Sequence, residues 1–281
     1  MTGPRPAEAR RKALAGSAAK DCAAAVREDI DVEAALGRIP GFIRLDKLES
    51  SKGRCYRLDL SGVGPLFVKV FEDEGKAANE ASVSSRLAGS GISCPAPFAV
   101  EGPVLVRAYL DASTATEELE AALKWGDVSS AARLCAKVAG LLADVHALDS
   151  ESGRGIVVND LNLRNFLVAP NCGLSIIDLA EAGFGEQAKD LGALAVHILT
   201  HKPEFTDVST MMADDALYSY FERAGTLWDA SNILWGFGEA LKDASARRKR
   251  PELPELAAGY MSHLRTRTEA MRRRAHHGAQ D

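Results

Sequence analysis

Between residues 42 and 71 the chain offers three strand-like runs, "FIRLDKLES", "GRCYRLDL" and "PLFVKVF", parted only by the turn segments "SKG" and "SGVG". Connections this short join antiparallel neighbours, so the runs predict a meander. "GKAANEASVSSRLAGSG" (75–91) then offers helix formers ending in a glycine stop, and "CPAPFAVEGPVLVRAYLD" reads as one or two further strands. Beyond residue 115 the period changes from two to 3.6. In "VSSAARLCAKVAGLLADVHAL" the apolar positions Ala131, Leu134, Cys135, Val138, Leu141, Leu142 and Val145 recur at helical spacing and predict a buried face.

A small antiparallel sheet followed by a mainly helical remainder is an α+β architecture. The expected boundaries are a tail and helix over 1–40, a sheet lobe over 41–111, a helical lobe over 112–250 and a basic helical extension over 251–281. Within the helical part, breaks are expected near Pro203, Gly225, Gly236 and Pro251 to Pro254.

Composition sets limits on function. The chain has 281 residues, 46% of them hydrophobic, without an apolar run long enough to span a bilayer and without a secretory leader, so a cytoplasmic protein is expected. Five cysteines lack CxxC spacing, which argues against zinc or a disulfide framework. A net charge of −5 gives no strong nucleic-acid signal. Basic residues nevertheless gather late, in "ARRKR" (246–250), Arg265, Arg267 and "RRR" (272–274). Two readings of them stay open: a solvated helical face, or a face for an anionic surface or ligand.

The stretch "VVNDLNLRNFLV" (157–168) sets Asp160 and Asn165 in an otherwise apolar run, and "LSIIDL" follows after the turn "APNCG", ending on Asp178. A loop with Asp and Asn, then a hairpin whose second strand ends in Asp, resembles the catalytic core of the protein-kinase-like superfamily. There H-x-D-x-x-x-x-N and D-F-G supply a catalytic Asp and two metal ligands. "EASVSSRLAGSGISCPAP" and "DLNLRNFLV" look most like the small atypical kinases: lipopolysaccharide (Kdo-type) sugar kinases, RIO-type kinases and, more distantly, aminoglycoside phosphotransferases.

The resemblance implies a bilobal fold and an ATP- and magnesium-dependent transfer of the γ-phosphate to a hydroxyl. It makes Asp160 the base, and Asn165 and Asp178 the Mg2+ ligands. Lys69 in "FVKVF" falls where the family's third-strand lysine holds phosphates, with Glu80 as its ion-pair partner on the next helix. Ser51 and Gly53 stand in the phosphate-covering loop, and the backbone of Ala108 and Leu110 would meet the adenine edge. Asp190 resembles the aspartate that braces the catalytic loop.

Several positions depart from the pattern. Gly53 is the only glycine of its loop, Val158 and Asn159 precede Asp160 in place of His and Arg, and Leu179 and Ala180 follow Asp178 in place of Phe and Gly. The His and Phe positions are packing positions, whereas loss of the Arg argues against control by activation-loop phosphorylation. The alternative is a pseudokinase, a nucleotide-binding or scaffolding module. The acceptor stays open among a glycolipid sugar, a protein Ser/Thr and a small molecule.

Overall fold

The computed structural model describes residues 6–28, 31–50, 53–150, 154–171, 173–225 and 230–277. The chain divides into two compact units: residues 1–112 with 175–181, and residues 113–174 with 182–281.

In the first unit, β1 (Phe42–Leu48), β2 (Arg54–Leu60), β3 (Leu66–Val70), β4 (Pro97–Glu101) and β5 (Val104–Ala108) form an antiparallel sheet in the order β1-β2-β3-β5-β4. β1, β2 and β3 are the expected meander, and the segment after residue 94 folds as two strands. Both faces are covered. On one lie α1 (Pro6–Glu28) and α2 (Val32–Gly37): Ala15, Ala19, Cys22, Ala23 and Val26 of α1 share a core with Leu58, Val68 and Val106. On the other lies α3 (Glu74–Gly89), the helix expected over 75–91, whose Ala77 packs with Leu105, Phe71 and Ala180.

This double cover explains why β3 and β5 are buried along their lengths. Side chains alternate between faces. Val68, Val70, Val104 and Val106 therefore meet the α1 side, and Lys69, Leu105 and Arg107 meet the α3 side. β3 lies between β2 and β5, so Lys69 sits mid-sheet and buried, away from any edge.

The second unit opens with β6 (Ser113–Thr114) and α4 (Ala115–Lys124), started by a capping box in which Thr114 and Glu117 satisfy each other's backbone amides. α5 (Val128–Ala147) follows, N-capped by Asp127, and buries the apolar stripe expected of it apart from Leu134. Next come β7 (Arg154–Val157), a 3₁₀ turn at Leu163–Asn165, and β8 (Phe166–Val168), which pairs with β6. β9 (Leu174–Ile176) carries the chain into the first unit, and β10 (Gly183–Glu186) pairs antiparallel with β7. α6 (Gln187–Leu199), α7 (Asp207–Ala224), α8 (Ala230–Arg248), α9 (Leu253–Leu256) and α10 (Ala258–His277) complete the unit. No helix among the described residues is long and apolar enough to cross a membrane.

Gly225 ends α7 in the left-handed conformation expected of a glycine stop. Gly236 departs from expectation: it lies inside α8 and breaks nothing. A Cβ at Gly236 would fall 1.9 Å from the carbonyl oxygen of Ala188, and one at Gly192 only 2.1 Å from the carbonyl carbon of Gly236. The pair of glycines lets α6 and α8 cross almost backbone to backbone, and that close approach is why the position lacks a side chain.

Candidate active site

The α3 face of the sheet in the first unit concentrates charge. Lys69 donates to Glu80 Oε2 at 2.8 Å and to Asp178 Oδ1 at 2.6 Å. Arg107, from the neighbouring strand, donates to the other oxygen of Glu80 at 3.1 Å. Lys69 is 4% exposed and Glu80 fully buried, so all these contacts act in a weakly screening interior. Burial works against the Lys69 ammonium, but the two carboxylates outweigh it and hold its pKa above the ordinary lysine value. Its ammonium also lies 4.4 Å from the centre of the Phe71 ring.

Asp178 is held in reach of Lys69 by its own segment. Asn79 of α3 donates to the Ala180 carbonyl at 2.8 Å, and Lys76 pairs with Glu181 at 2.6 Å. Asp178 adopts a left-handed backbone with φ of 60°, a conformation unusual outside glycine that Asp tolerates better than most residues. Leu179 beside it is fully buried, in keeping with a packing position.

In the second unit the segment 157–165 is suspended from Asp190. Its carboxylate accepts from the amides of Val158 at 2.6 Å and Asn159 at 3.1 Å, and His146 Nε2 lies 3.1 Å away. A carboxylate only accepts, so His146 Nε2 is the donor to Asp190, while His146 Nδ1 lies 2.8 Å from the Tyr220 hydroxyl, which also reaches Gln187 Oε1 at 3.4 Å. Two backbone amides and an imidazole thus fix the loop. Asn159 is also left-handed, at φ 62°, which an Asn enters more readily than an Arg.

On that braced loop, the Asn165 side-chain nitrogen donates to the Asp160 carbonyl at 3.1 Å. This fixes the amide so that its oxygen is the end left over as a hard ligand. Asp160 itself is partly exposed and lines a cavity of about 160 Å³ together with His197, Lys189, Asp243 and Arg247.

The structure therefore brings Lys69, Glu80 and Asp178 into one charged cluster, and Asp160 and Asn165 onto one braced loop. Gly53 has φ of 135°, and a Cβ there would come 2.6 Å from the Val70 carbonyl oxygen, so the turn at the β3 end requires glycine. Ala108 closes β5 opposite Leu66, and Leu110 follows, half-buried. Ser51 lies outside the described residues. Arg107 and Arg247 went unnoticed in the sequence: the first is a lone cation in the apolar run "VLVRA", and the second belongs to the basic cluster "ARRKR". No group of three or more His, Cys, Asp or Glu side chains suited to a metal occurs among the described residues. Magnesium on a nucleotide asks for less, since one or two protein oxygens join phosphate and water. The donor types of Asn165 and Asp178 fit it.

No family model matches the chain, and no curated protein matches it by sequence. Solved structures do. An ethanolamine kinase from Plasmodium vivax superimposes with a TM-score of 0.56 at 9% identity, over 85% of this chain and 82% of that one. A choline/ethanolamine kinase family protein from Mesorhizobium loti gives 0.55 at 15% identity, over 83% and 98%. A macrolide 2′-phosphotransferase from Brachybacterium faecium gives 0.50 at 14% identity, over 83% and 90%. Superimposed over most of its own length and of theirs, the chain has the protein-kinase-like fold.

Proposed function

We propose that the chain is a phosphotransferase that moves the γ-phosphate of ATP to a hydroxyl of a small molecule. The observation that carries the reading is the buried Lys69, held between Glu80 and Asp178 from distant parts of the chain. A buried ion pair by itself is weak support for stability, because desolvation offsets much of the attraction. A lysine kept charged there and flanked by a partly exposed carboxylate is arranged for an anionic ligand. The solved neighbours are named for small acceptors, choline or ethanolamine and a macrolide, which favours a small molecule over a protein or a glycolipid sugar.

In this reading Lys69 holds phosphate oxygens and Glu80, steadied by Arg107, aims it. The turn at Gly53, with Ser51, covers the phosphates, and the backbone of Ala108 and Leu110 meets the adenine edge. Asp160 accepts the acceptor's proton as the new O–P bond forms and the bond from γ-phosphorus to the bridging oxygen breaks, leaving ADP. Asn165 and Asp178 are the residues that would hold magnesium, which when bound would neutralise phosphate charge.

Asp160→Asn and Asp178→Asn separate these roles. Calorimetric titration is expected to show Mg-ATP binding kept in Asp160→Asn while turnover falls by about 10²- to 10⁴-fold, the range for loss of a general base. Asp178→Asn is expected to weaken metal-dependent nucleotide binding as well. Near-normal turnover in Asp160→Asn would refute the mechanism. A wild-type melting temperature unmoved by millimolar Mg-ATP would replace the enzyme with the scaffolding module.

A further inference from the structure

The basic cluster "ARRKR" has no part in the function proposed so far, and its arginines have separate assignments. Arg248 donates to the Thr200 hydroxyl at 2.7 Å, and Arg250 grips Glu204 at 2.6 and 2.8 Å. Both fasten the end of α8 to its own unit. Arg247 is turned elsewhere: its guanidinium lies 3.7 Å from Asp160 Oδ1, and Asp160 is its one ion-pair partner among the described residues. At that distance the contact is an attraction and not a hydrogen bond. With 61% of its side chain exposed, Arg247 keeps most of its five donors for something else.

α8 presents Glu239, Asp243 and Arg247 one turn apart, so the three form a stripe on the cavity that holds Asp160. Glu239 is already paired with Lys242 at 2.6 Å. Asp243 stands one turn before Arg247 on the same face and makes no ion pair with it among the described residues. His197 adds no charge near neutral pH, because burial, then Arg248 and Arg247, push its pKa down to about 4. Lys189, across the cavity on α6, is a second cation. Among the described residues no Phe, Tyr or Trp lines the cavity, so these residues offer no aromatic cage for a quaternary ammonium.

We infer that Arg247 is a specificity-determining residue that selects an acceptor carrying a carboxylate or phosphate close to its reactive hydroxyl. This rests on the phosphotransferase reading with Asp160 as base. A hydroxyl brought to Asp160 comes within reach of the guanidinium. The fork of N–H donors matches two oxygens of a carboxylate or phosphate and repels an ammonium at the same place.

The test compares wild-type, Arg247→Gln and Arg247→Lys protein with Mg-ATP and hydroxyl compounds of three charge classes: glycerate and glycerol 3-phosphate, glycerol, and ethanolamine and choline. Wild-type enzyme is expected to use the anionic pair best. Arg247→Gln is expected to raise their KM relative to glycerol by about tenfold or more, the scale of one charge-assisted hydrogen bond, and Arg247→Lys to restore part of it. Binding of glycerate and glycerol 3-phosphate is read separately, as a rise in melting temperature that Arg247→Gln removes. Preference for ethanolamine or choline overturns the inference. So does an unchanged KM ratio in Arg247→Gln, or a wild-type melt unmoved by either anion at millimolar concentration. Failure of Mg-ATP to bind at all strikes the phosphotransferase reading instead.

Discussion

Glu80 divides one carboxylate between two buried cations, Lys69 on one oxygen and Arg107 on the other. Removing it leaves Arg107 without its carboxylate and Lys69 with Asp178 alone, in an interior that solvates them poorly, whereas removing Lys69 leaves Glu80 still bound to Arg107. Glu80→Ala is therefore expected to destabilise by roughly 3–5 kcal/mol, and Lys69→Met, which keeps the volume and takes away the charge, by clearly less. Turnover should collapse in both. Urea titrations beside activity assays check this, and equal stability losses would show that Arg107 does not support Glu80. His197 gives a pH test at the same scale. Its folded pKa, about 4, lies below the ordinary histidine value, so the unfolded chain binds the extra proton between the two values. The stability this contributes is whole above about pH 6.5 and is lost as pH falls toward 4. His197→Gln should flatten that window of the stability curve, and an unchanged acid limb would mean that the imidazole is not kept neutral.

Elements show where sequence was enough and where it was not. β1, β2 and β3 were legible because turn residues and period-two patterning are local, and Lys69, Glu80, Asp160, Asn165 and Asp178 were legible by type and order along a familiar pattern. Arg107 was not, because nothing in "VLVRA" announces that α3 will set Glu80 beside it. Arg247 looked like part of a solvated tail, since only the crossing of α8 over the 157–165 loop's own unit brings it to Asp160. Gly236 shows the same limit. A glycine in a helical pattern signals a break or a close contact, and the partner, Gly192, is far off in sequence. In an ordinary helix interior Gly→Ala stabilises by about 0.5–1 kcal/mol, and Gly238, with open space around its Cβ position, is expected to behave so. Gly236→Ala must push α6 and α8 apart and should destabilise by at least about 1–3 kcal/mol. The two substitutions sit two residues apart with opposite expected signs in chemical denaturation, and stabilisation by both would dismiss the tight crossing.

At the scale of the whole molecule, both described ends of the chain belong to cores. α1 closes one face of the sheet in the first unit with small residues that let it lie close. In the second unit, Leu253, Ala257, Tyr260 and Leu264 of the C-terminal helices are buried. α10 is also tied to α7 through Asp214, whose carboxylate lies 2.7 Å from His263 Nε2 and 3.3 Å from the Tyr260 hydroxyl and pairs with Arg267. Burying Asp214 without these partners would be costly, so the tie works in both directions. A basic tail that merely offered charge to an anion could be cut away without harm to the fold, and residues 251–267 do not fit that description. Deletion after Arg250 should expose the apolar groove under α9 and α10 and leave Asp214 buried with no cation, so the cooperative melt should be lost or lowered by many degrees. Deletion after Arg267 spares Leu253, Ala257, Tyr260, Leu264 and the Asp214 contacts, and should keep both the melt and Mg-ATP binding. The pair of truncations, followed by circular dichroism and nucleotide titration, separates anchoring helix from dispensable tail, and a full melt in the shorter chain would show that α10 adds charge alone.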